Sequence, residues 1–380
     1  MEEIRIVLFG IGGYGDIYVR ALLEERARER YSIVGVVDPY AKNARGYAEL
    51  AAREVPFFDT PDAFFAKKSA DLAVISTPIP FHEAHAICAM EHGCDVLLEK
   101  PIAATPEAGR RIARTAEQLG RRLAIGFQWC YDEAMLRLKA DFDAGLLGAP
   151  KRLRAIVLWP RDFAYYRRGT GWAGKKLDRD GNPIFDSIAS NATAHYLENM
   201  LWLTGKGYEG ASITDLRCET WRANDIETYD TLTLLAKLDN GTELNFVTSH
   251  AVLPEEIRDP LFEYEFENAT VRFDGVGEEG RIVAEFADGT VREYGASYRS
   301  NHEKIWTMLD VMRGKAEIPC PPQAALRHAD AIAAIREREP DSRVFRNVCT
   351  DGTRAWAPGL AAALRRCYDE RILLSETGMW

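Results

Sequence analysis

A glycine-rich loop follows the first apolar run of the chain and leads into a helical pattern. It reads Gly10-Ile11-Gly12-Gly13-Tyr14-Gly15, which matches G-x-G-x-x-G in the strand-to-helix context that this motif requires. In such a turn Gly10 permits the tight bend, Gly12 lets the backbone approach a pyrophosphate, and Gly15 allows close packing of helix against strand. Asp38 ends the next apolar run, where a carboxylate accepts hydrogen bonds from a ribose. The loop and Asp38 predict a site for a nicotinamide dinucleotide.

A Glu99-Lys100-Pro101 triplet closes a later apolar run, Asp95 to Leu98. The carboxyl ends of parallel strands line the ligand crevice of doubly wound sheets, so we expect Lys100 to face the cofactor. Pro101 donates no N–H and biases Lys100 toward an extended backbone, which is compatible with a cis Lys100–Pro101 peptide bond. A lysine after a strand is usually a solvated charge. Lys100 is a candidate site residue only because it follows a strand whose end lines the ligand crevice.

Strand-length apolar runs recur through the first third of the chain and suit parallel strands that are buried on both faces. They are Ile4 to Phe9, Ser32 to Val37, Leu72 to Ser76, Val96 to Leu98 and Leu123 to Phe127. Between them, Thr60-Pro61 and Thr105-Pro106 each place a capping threonine before a proline at the first helical position, and a helix is expected over Asp16 to Arg28. This alternation predicts a doubly wound parallel sheet, a Rossmann fold.

From Lys151 onward the apolar period changes toward the alternation of half-buried strands. The predicted strands are Leu153 to Leu158, Thr231 to Leu238, Glu243 to Thr248, Tyr264 to Phe273 and Arg281 to Phe286. Turns at Asn240-Gly241 and Asp288-Gly289 indicate antiparallel hairpins. We therefore predict a first domain at 1–149 and a second at 150–380, whose helices at Glu303 to Met312 and Gln323 to Arg336 pack back on the first domain.

The composition is that of an ordinary folded protein of 380 residues and excludes several classes. The formal net charge of −10 gives no attraction to nucleic acid, and the apolar runs are far shorter than the ~20 residues of a membrane helix. The seven cysteines are never spaced as Cys-x-x-Cys, and His82 and His85 lack further ligands, so we expect neither a disulfide framework nor a metal. The acidic start, Met1 to Arg5, differs from a secretory signal and favours a cytoplasmic protein.

Several of these features together resemble one family over most of the chain. The glycine loop, Asp38, Thr77-Pro78 with His82 just beyond, Glu99-Lys100-Pro101 and a later helix bearing His195 are similar to the glucose-fructose oxidoreductase, inositol dehydrogenase and rhizopine-catabolism (Gfo/Idh/MocA) family. The resemblance implies a second domain on a large, mostly antiparallel open sheet, and hence an α/β plus α+β fold. It implies Lys100 and His195 in substrate binding and proton transfer. The implied cofactor contacts are Gly10, Gly12, Gly13, Tyr14, Gly15, Asp38, Thr77, Pro78, His82, Glu99 and Lys100.

One position departs from the family's pattern. The common helix motif reads Asp-x-Gly-x-His, whereas Asn191 stands here four residues before His195. Asn191 cannot ionise, although it can position a hydroxyl or orient the imidazole by hydrogen bonds. On a helix from Ile188 to Leu203, Asn191, His195 and Glu198 would share one face. We therefore take Asn191 and Glu198 as candidate substrate ligands beside the catalytic candidates Lys100 and His195.

The stretch from Pro160 to Phe185 is long, irregular and locally basic. It contains Arg161, Tyr165 and Trp172, and cations with aromatic rings suit stacking on a sugar or recognition of an anionic group. We take these three residues, with Gln128, as further candidate substrate ligands. An arm that reaches a neighbouring subunit would explain the same stretch nearly as well.

Three functions remain open at this point. The first is hydride transfer between NAD and a carbinol carbon of a sugar, polyol or cyclitol, with Lys100 and His195 approaching one substrate oxygen. The second is a sugar-modifying enzyme that retains its cofactor and cleaves or epimerises through transient oxidation. The third is a cofactor-sensing regulator. This alternative remains because Asn191 stands where the family's motif has aspartate.

Two further expectations concern the cofactor and the assembly. NAD is favoured over NADP because the Asp38 carboxylate would repel a 2′-phosphate, although Lys42 and Arg45 could weaken the preference. We also expect a homodimer or homotetramer joined through an apolar open face of the second sheet.

Overall fold

A computed structural model describes residues 3–24, 30–169, 171–275, 280–297 and 301–380. Its strands are β1 (Ile4–Phe9), β2 (Tyr31–Val37), β3 (Phe57–Phe58), β4 (Leu72–Ile75), β5 (Asp95–Leu98), β6 (Leu123–Ile125), β7 (Pro150–Leu158), β8 (Ile213–Arg222), β9 (Thr231–Leu238), β10 (Glu243–Ser249), β11 (Arg258–Phe266), β12 (Ala269–Asp274), β13 (Arg281–Phe286), β14 (Val291–Ala296), β15 (Arg343–Val344), β16 (Cys349–Thr350) and β17 (Ala355–Trp356). Its α-helices are α1 (Gly15–Leu23), α2 (Tyr47–Ala52), α3 (Pro61–Phe65), α4 (His82–Glu91), α5 (Pro106–Leu119), α6 (Glu133–Asp143), α7 (Phe163–Arg167), α8 (Ala194–Thr204), α9 (Glu303–Met312), α10 (Pro322–Arg338) and α11 (Leu360–Glu370).

The chain forms two compact units. Unit 1 contains residues 1–131 and 300–326, and unit 2 contains residues 132–299 and 327–380. The division between Tyr131 and Asp132 precedes α6, and the domain limits 1–149 and 150–380 stay a prediction. Within the described ranges, no helix combines the length and apolar character that crossing a membrane requires.

Unit 1 is built on a parallel sheet of six strands in the order β3-β2-β1-β4-β5-β6. Phe9 pairs with Val37 on one side and with Ile75 on the other, and Ile75 pairs with Leu98. The last residues of β1, β2, β4 and β5 are therefore in register, and the turns after these strands begin at one edge. This arrangement confirms the predicted doubly wound fold.

The helices of unit 1 begin where the sequence indicates. The hydroxyls of Thr60 and Thr105 accept hydrogen bonds from the N–H groups of Ala63 (3.2 Å) and Ala108 (3.3 Å), and a proline follows each threonine. Helix α1 begins at Gly15 and ends at Leu23. Residues 25–28 of the helix predicted over Asp16 to Arg28 lie outside the described residues.

Helix α9 packs into the core of unit 1, although more than 150 residues of unit 2 separate it in sequence from β6. Its Ile305 and Leu309 are fully buried in the same apolar cluster as Ile6 and Val36. The segment Glu303 to Met312 therefore belongs to unit 1, whereas α10, predicted as Gln323 to Arg336, lies mostly in unit 2. The packing of both helices on a first domain of 1–149 stays a prediction.

Unit 2 is built on a sheet of nine strands in the order β14-β13-β12-β11-β7-β10-β9-β8-β15. The pairs β7–β10 and β8–β15 are parallel, and the other pairs are antiparallel. The hairpins at Asn240-Gly241 and Asp288-Gly289 are confirmed. The single strand predicted over Tyr264 to Phe273 is wrong: it is the hairpin of β11 and β12, turning at Glu267 and Asn268. The error arose because apolar alternation continues on both sides of a turn that lacks glycine and proline.

The expectation of an apolar open face on this sheet is not met on the side that carries Arg154 and Ile156. Helix α11 covers β7 and β10 there, burying Leu360 and Leu364 against Ile156 and Val247. Farther along the same face the strands carry ion pairs in place of apolar side chains. These are Arg152–Glu265 (2.5 Å), Arg154–Glu263 (2.7 Å), Arg272–Glu263 (2.9 Å), Arg272–Glu285 and Arg281–Glu293.

Candidate functional site

The glycine loop of unit 1 has the tight backbone that its sequence predicts. Gly10 has φ +78°, and a Cβ on Gly15 would lie 2.3 Å from the Gly10 carbonyl oxygen, so neither position accepts a side chain. A Cβ on Gly12 or Gly13 would meet no atom of the described chain within 4 Å. The outer side of the loop therefore has room for a ligand at the start of α1.

Asp38 links this loop to the turn after β2. Its Oδ2 accepts a hydrogen bond from the Ile11 N–H (3.0 Å), and its Oδ1 accepts one from the Tyr40 N–H (2.8 Å). These bonds fix the carboxylate at the mouth of the loop, and each oxygen keeps a lone pair for a ligand hydroxyl. The donor set fits an adenosine ribose.

His82 joins the turns after β4 and β5. Its Nε2 lies 2.9 Å from the Thr77 carbonyl oxygen, and its Nδ1 lies 2.9 Å from that of Pro101. The ring is buried, and burial lowers the pKa of His82. The ring therefore lies between the two turns and, when neutral, donates to one of the two carbonyl oxygens. The predicted cofactor contacts of Thr77, Pro78 and His82 stay predictions.

Glu99 is buried in an ion pair with Lys304 of α9. The Tyr18 hydroxyl donates to the same oxygen, Oε1 (2.5 Å), while Oε2 accepts from the Lys100 N–H (3.2 Å). A Cβ on Gly126 would lie 2.8 Å from Oε1, so only glycine leaves space for this carboxylate. Both oxygens of Glu99 are thus held inside unit 1, and its predicted contact with the cofactor stays a prediction.

The same network extends to Tyr14 and Gln128. The Lys304 ammonium donates to the Tyr14 hydroxyl (3.1 Å) and to the Gly126 carbonyl oxygen (3.0 Å), and the Tyr14 hydroxyl donates to Gln128 Oε1 (2.8 Å). These contacts place two predicted ligands, Tyr14 and Gln128, beside the structural support of the Glu99-Lys100-Pro101 turn. Lys100 itself is half-buried, and its peptide bond to Pro101 is cis, as expected.

In unit 2, His195 lies in the first turn of α8 and is 7% exposed. The predicted continuous α-helix from Ile188 to Leu203 is wrong, because residues Ile188–Ala192 form a π-helical turn that ends at Thr193. Asn191 and His195 are consequently not successive positions of one α-helical face.

Asn191 is hydrogen-bonded to a carboxylate that the sequence analysis missed. Its side-chain amide donates to Asp186 Oδ1 (2.8 Å), and the Gly174 N–H donates to Asp186 Oδ2 (2.7 Å). Asp186 is 3% exposed, and Phe185 before it has φ +50°, a conformation that a bulky residue rarely adopts. The ionisable group absent from position 191 is therefore present one hydrogen bond away.

Glu198 lies on α8 and is completely buried within unit 2. Its negative charge contributes to raising the pKa of Tyr264, after the larger effect of burial. Its predicted role as a substrate ligand stays a prediction.

Arg161, Tyr165 and Trp172 come together in unit 2, and Arg168 joins them. The Arg168 guanidinium lies 3.6 Å from the centre of the Tyr165 ring and 4.6 Å from that of Trp172, while the Arg161 guanidinium lies 5.1 Å from the Tyr165 ring. The predicted cationic and aromatic character of this segment is therefore concentrated in one cluster.

Four residues of these sites were missing from the sequence-based prediction. Arg168 carries a usable signal because it lies in the same basic segment. So does His250, which directly follows β10 and whose ring packs edge-on against Tyr165 at 5.4 Å. Asp186 stands five residues before Asn191, ahead of the π-helical turn Ile188–Ala192, a spacing that α-helical periodicity does not suggest. Lys304 has no local signal, since only the tertiary packing of α9 brings it to Glu99.

Comparison with known proteins agrees with this geometry. Residues 4–127 match a family described as an oxidoreductase family with an NAD-binding Rossmann fold. This family is Gfo/Idh/MocA, and the match lies within unit 1. Among curated relatives, the inositol 2-dehydrogenase of Klebsiella pneumoniae is 27% identical over 212 residues, which is 56% of this chain and 57% of that protein. The inositol 2-dehydrogenase 1 of Mycolicibacterium vanbaalenii is 31% identical over 157 residues, 41% of this chain and 45% of that protein. The chain thus spans about half the length of the curated relatives it matches.

Solved structures of similar fold cover most of the chain. The WlbA dehydrogenase from Bordetella pertussis, in complex with NADH and UDP-GlcNAcA, has a TM-score of 0.72 at 21% identity and covers 89% of this chain and 97% of its own. The UDP-N-acetylglucosamine 3-dehydrogenase GnnA from Acidithiobacillus ferrooxidans has a TM-score of 0.68 at 23% identity and covers 89% and 98%. At these identities the likeness to the solved structures shows the fold alone.

Proposed function

We propose that this protein is an NAD-dependent dehydrogenase that oxidises a secondary alcohol of a sugar, polyol or cyclitol. The observation that carries the proposal is the open glycine loop beside the fixed carboxylate of Asp38, with Lys100 at the same strand edge of unit 1. Its curated relatives are inositol 2-dehydrogenases, and two structural neighbours act on or bind UDP-sugars by name, which supports the same chemical class.

The residues of unit 1 fit NAD. The N–H groups of Gly12 and Gly13 and the start of α1 would hold the pyrophosphate, and Asp38 would accept from the adenosine ribose. NAD, when bound, supplies the acceptor for the hydride that leaves the carbinol carbon.

Lys100 and His195 are proposed to handle the hydroxyl proton. Oxidation of an alcohol releases that proton as the hydride departs, so a base must stand within hydrogen-bond reach of the oxygen. The Lys100 amine is proposed to take it, and the imidazole of His195 is proposed to pass it toward water, since a histidine exchanges protons readily near neutral pH. Asn191 and Asp186 are proposed to orient substrate hydroxyls without taking part in proton transfer.

The experiment is a set of absorbance and fluorescence measurements on the purified protein, with and without NAD and a panel of sugars, polyols and cyclitols. Net reduction of added NAD with free cofactor exchange is expected. Retained NAD(H) without net turnover would favour the enzyme that oxidises its substrate only transiently, and nucleotide binding without any redox change would favour the regulator. Each of these two results contradicts the proposal.

A further inference from the structure

The cluster around Tyr165 in unit 2 holds two guanidinium groups without carboxylate partners among the described residues. Neither Arg161 nor Arg168 forms an ion pair with an acidic side chain in the described part of the chain, and Arg161 Nε is buried there without a hydrogen-bond partner. Asp186 is near enough to help raise the pKa of Tyr165, but its two oxygens accept from Gly174 and Asn191. Arg161 and Arg168 are half-buried, so the two like charges on one ring are only partly solvated, and a bound anion would offset their repulsion.

His250 adds an acceptor to the same cluster. Its ring lies edge-on to Tyr165 at 5.4 Å, and the residue is 2% exposed. Nδ1 lies 2.6 Å from the Trp159 carbonyl oxygen, which can only accept, so Nδ1 carries the proton. Burial, reinforced by the charge of Arg161, lowers the pKa of His250 to about 3 and keeps the ring neutral. Nε2 is therefore a bare acceptor, and it is buried without a partner among the described residues.

The sheet of unit 2 explains why these groups meet. Strands β7 and β10 are parallel neighbours, so the residues that follow them, Trp159 to Arg161 and His250, leave the sheet at the same edge. The backbone N–H of Arg161 donates to the His250 carbonyl oxygen (3.3 Å). Next to them, the Trp159 ring packs edge-on at 5.6 Å against Tyr196, the neighbour of His195 on α8. The cluster thus lies beside the helix that carries the proposed catalytic histidine.

We infer that the substrate carries an anionic group, a carboxylate or a phosphate, which Arg161 and Arg168 bind, while His250 Nε2 accepts from a hydroxyl of the same molecule. Arginine forks match both anions geometrically, and the two guanidiniums supply the charge that an uncharged polyol would leave uncompensated. The proposal rests on the proposed function for its site and narrows the substrate class from polyols in general to polyhydroxylated anions.

The test compares anionic and neutral ligands of one ring size on the full chain, with and without NADH. Isothermal titration calorimetry measures the affinities for glucuronate, which carries a carboxylate, for glucose 6-phosphate, which carries a phosphate, and for uncharged glucose. At least one anion is expected to bind about tenfold or more tightly than glucose, the difference that one charge-assisted contact supplies. Arg161→Gln and Arg168→Gln should each abolish that preference, and Arg168→Lys should restore part of it.

Arg167→Gln is the matched control, because Arg167 is an exposed cation of the same segment that lies over Phe163 at 5.8 Å. This variant should retain the anion preference, and circular dichroism verifies that every variant is folded. Equal affinities for glucose and both anions, or a preference that survives both Arg161→Gln and Arg168→Gln, would overturn the inference. Anion binding that depends on these arginines, without NAD reduction by any ligand, would instead contradict the dehydrogenase proposal and leave the inference standing.

Discussion

At the scale of single residues, Lys304 fixes the turn that presents Lys100. Its ammonium is completely buried and meets Glu99, the Tyr14 hydroxyl and the Gly126 carbonyl oxygen. A buried ammonium stabilises the folded protein only while all of its partners are present. Without them, the buried charge has neither water nor a counter-ion around it.

Lys304→Met should therefore lower the free energy of unfolding by about 3–5 kcal/mol, the usual cost of breaking a buried ion pair from one side. Urea titrations of the wild type and the variant measure the loss. The double variant Lys304→Met with Glu99→Gln removes both charges and should recover part of the stability. A double variant that is less stable than Lys304→Met would show that the ion pair is not the source of the effect.

Lys100 itself is expected to affect turnover more than cofactor binding. Lys100→Met removes the proposed base and should lower kcat by about 10²–10⁴-fold, the usual contribution of a positioned proton acceptor. The dissociation constant of NADH, measured by fluorescence, should change little because the glycine loop and Asp38 remain. Near-normal turnover of Lys100→Met on a confirmed substrate would exclude the base assignment. His195→Ala should cause a smaller loss if water replaces the imidazole.

Asp38 should determine the preference of the protein for NAD over NADP. Its carboxylate is fixed by the N–H groups of Ile11 and Tyr40, so it cannot turn away from a 2′-phosphate without losing both bonds. NAD should bind more tightly than NADP, and Asp38→Asn should narrow the difference by removing the repulsion while keeping the shape. Comparable dissociation constants for NAD and NADP in the wild type would contradict this role.

The residues that could be predicted from the sequence are those whose signal is local. Gly10, Gly15 and Asp38 stand at positions fixed by one strand-turn-helix unit, and the backbone there leaves little choice of residue type. Lys304 and Asp186 depend on the packing of α9 and on a π-helical turn, and neither feature is encoded in the spacing of neighbouring side chains.

At the scale of elements, a lysine of α6 caps the end of α8, the helix that bears His195. The Lys139 ammonium donates to the carbonyl oxygens of Leu203 (3.2 Å) and Gly205 (2.6 Å) and pairs with Asp143 (2.9 Å). Carbonyl groups at a helix end have no partners within the helix, and a cation there also suits the helix dipole. Lys139 is 1% exposed, and burial lowers its pKa.

Lys139→Met should reduce the free energy of unfolding by about 1–3 kcal/mol, since it leaves buried carbonyl groups without a donor. Urea titration measures this loss. Asp143→Asn is the control, because it removes only the partly exposed partner of the lysine and should cost less than about 1 kcal/mol. A larger loss for Asp143→Asn than for Lys139→Met would show that the ion pair, and not the cap, stabilises this helix end.

At the scale of the whole molecule, the ion pairs on the sheet of unit 2 change the reason for expecting an oligomer. The expected face was apolar, but helix α11 covers one part of it and alternating charges cover the next. Alternating side chains on exposed strands do not reveal which face a distant helix will cover, so this feature could not be predicted from local patterns. A homodimer or homotetramer stays a prediction, and burying this face would require complementary charges in place of apolar contact.

Three buried or half-buried histidines should make the stability of the protein depend on pH. Burial lowers the pKa of His82, that of His85 to about 4 and that of His250 to about 3, whereas a histidine ordinarily titrates near 6.5. Between these values the unfolded chain binds protons that the folded chain does not. Stability is therefore fully present above pH 6.5 and falls as the pH decreases toward 4.

Each such histidine contributes about 1.4 kcal/mol per pH unit within that window. His250→Asn removes one of them and keeps a side-chain donor for the Trp159 carbonyl oxygen, so its slope of unfolding free energy between pH 6 and 4.5 should be smaller than that of the wild type. Burial raises the pKa of Asp230, so this carboxyl adds stability as the pH falls, opposite to the effect of the histidines. The test therefore compares the slopes of the two proteins. Urea titrations at four pH values give both slopes. Identical slopes would mean that His250 is protonated in the folded protein, and its Nε2 would then be a donor to the substrate and not an acceptor.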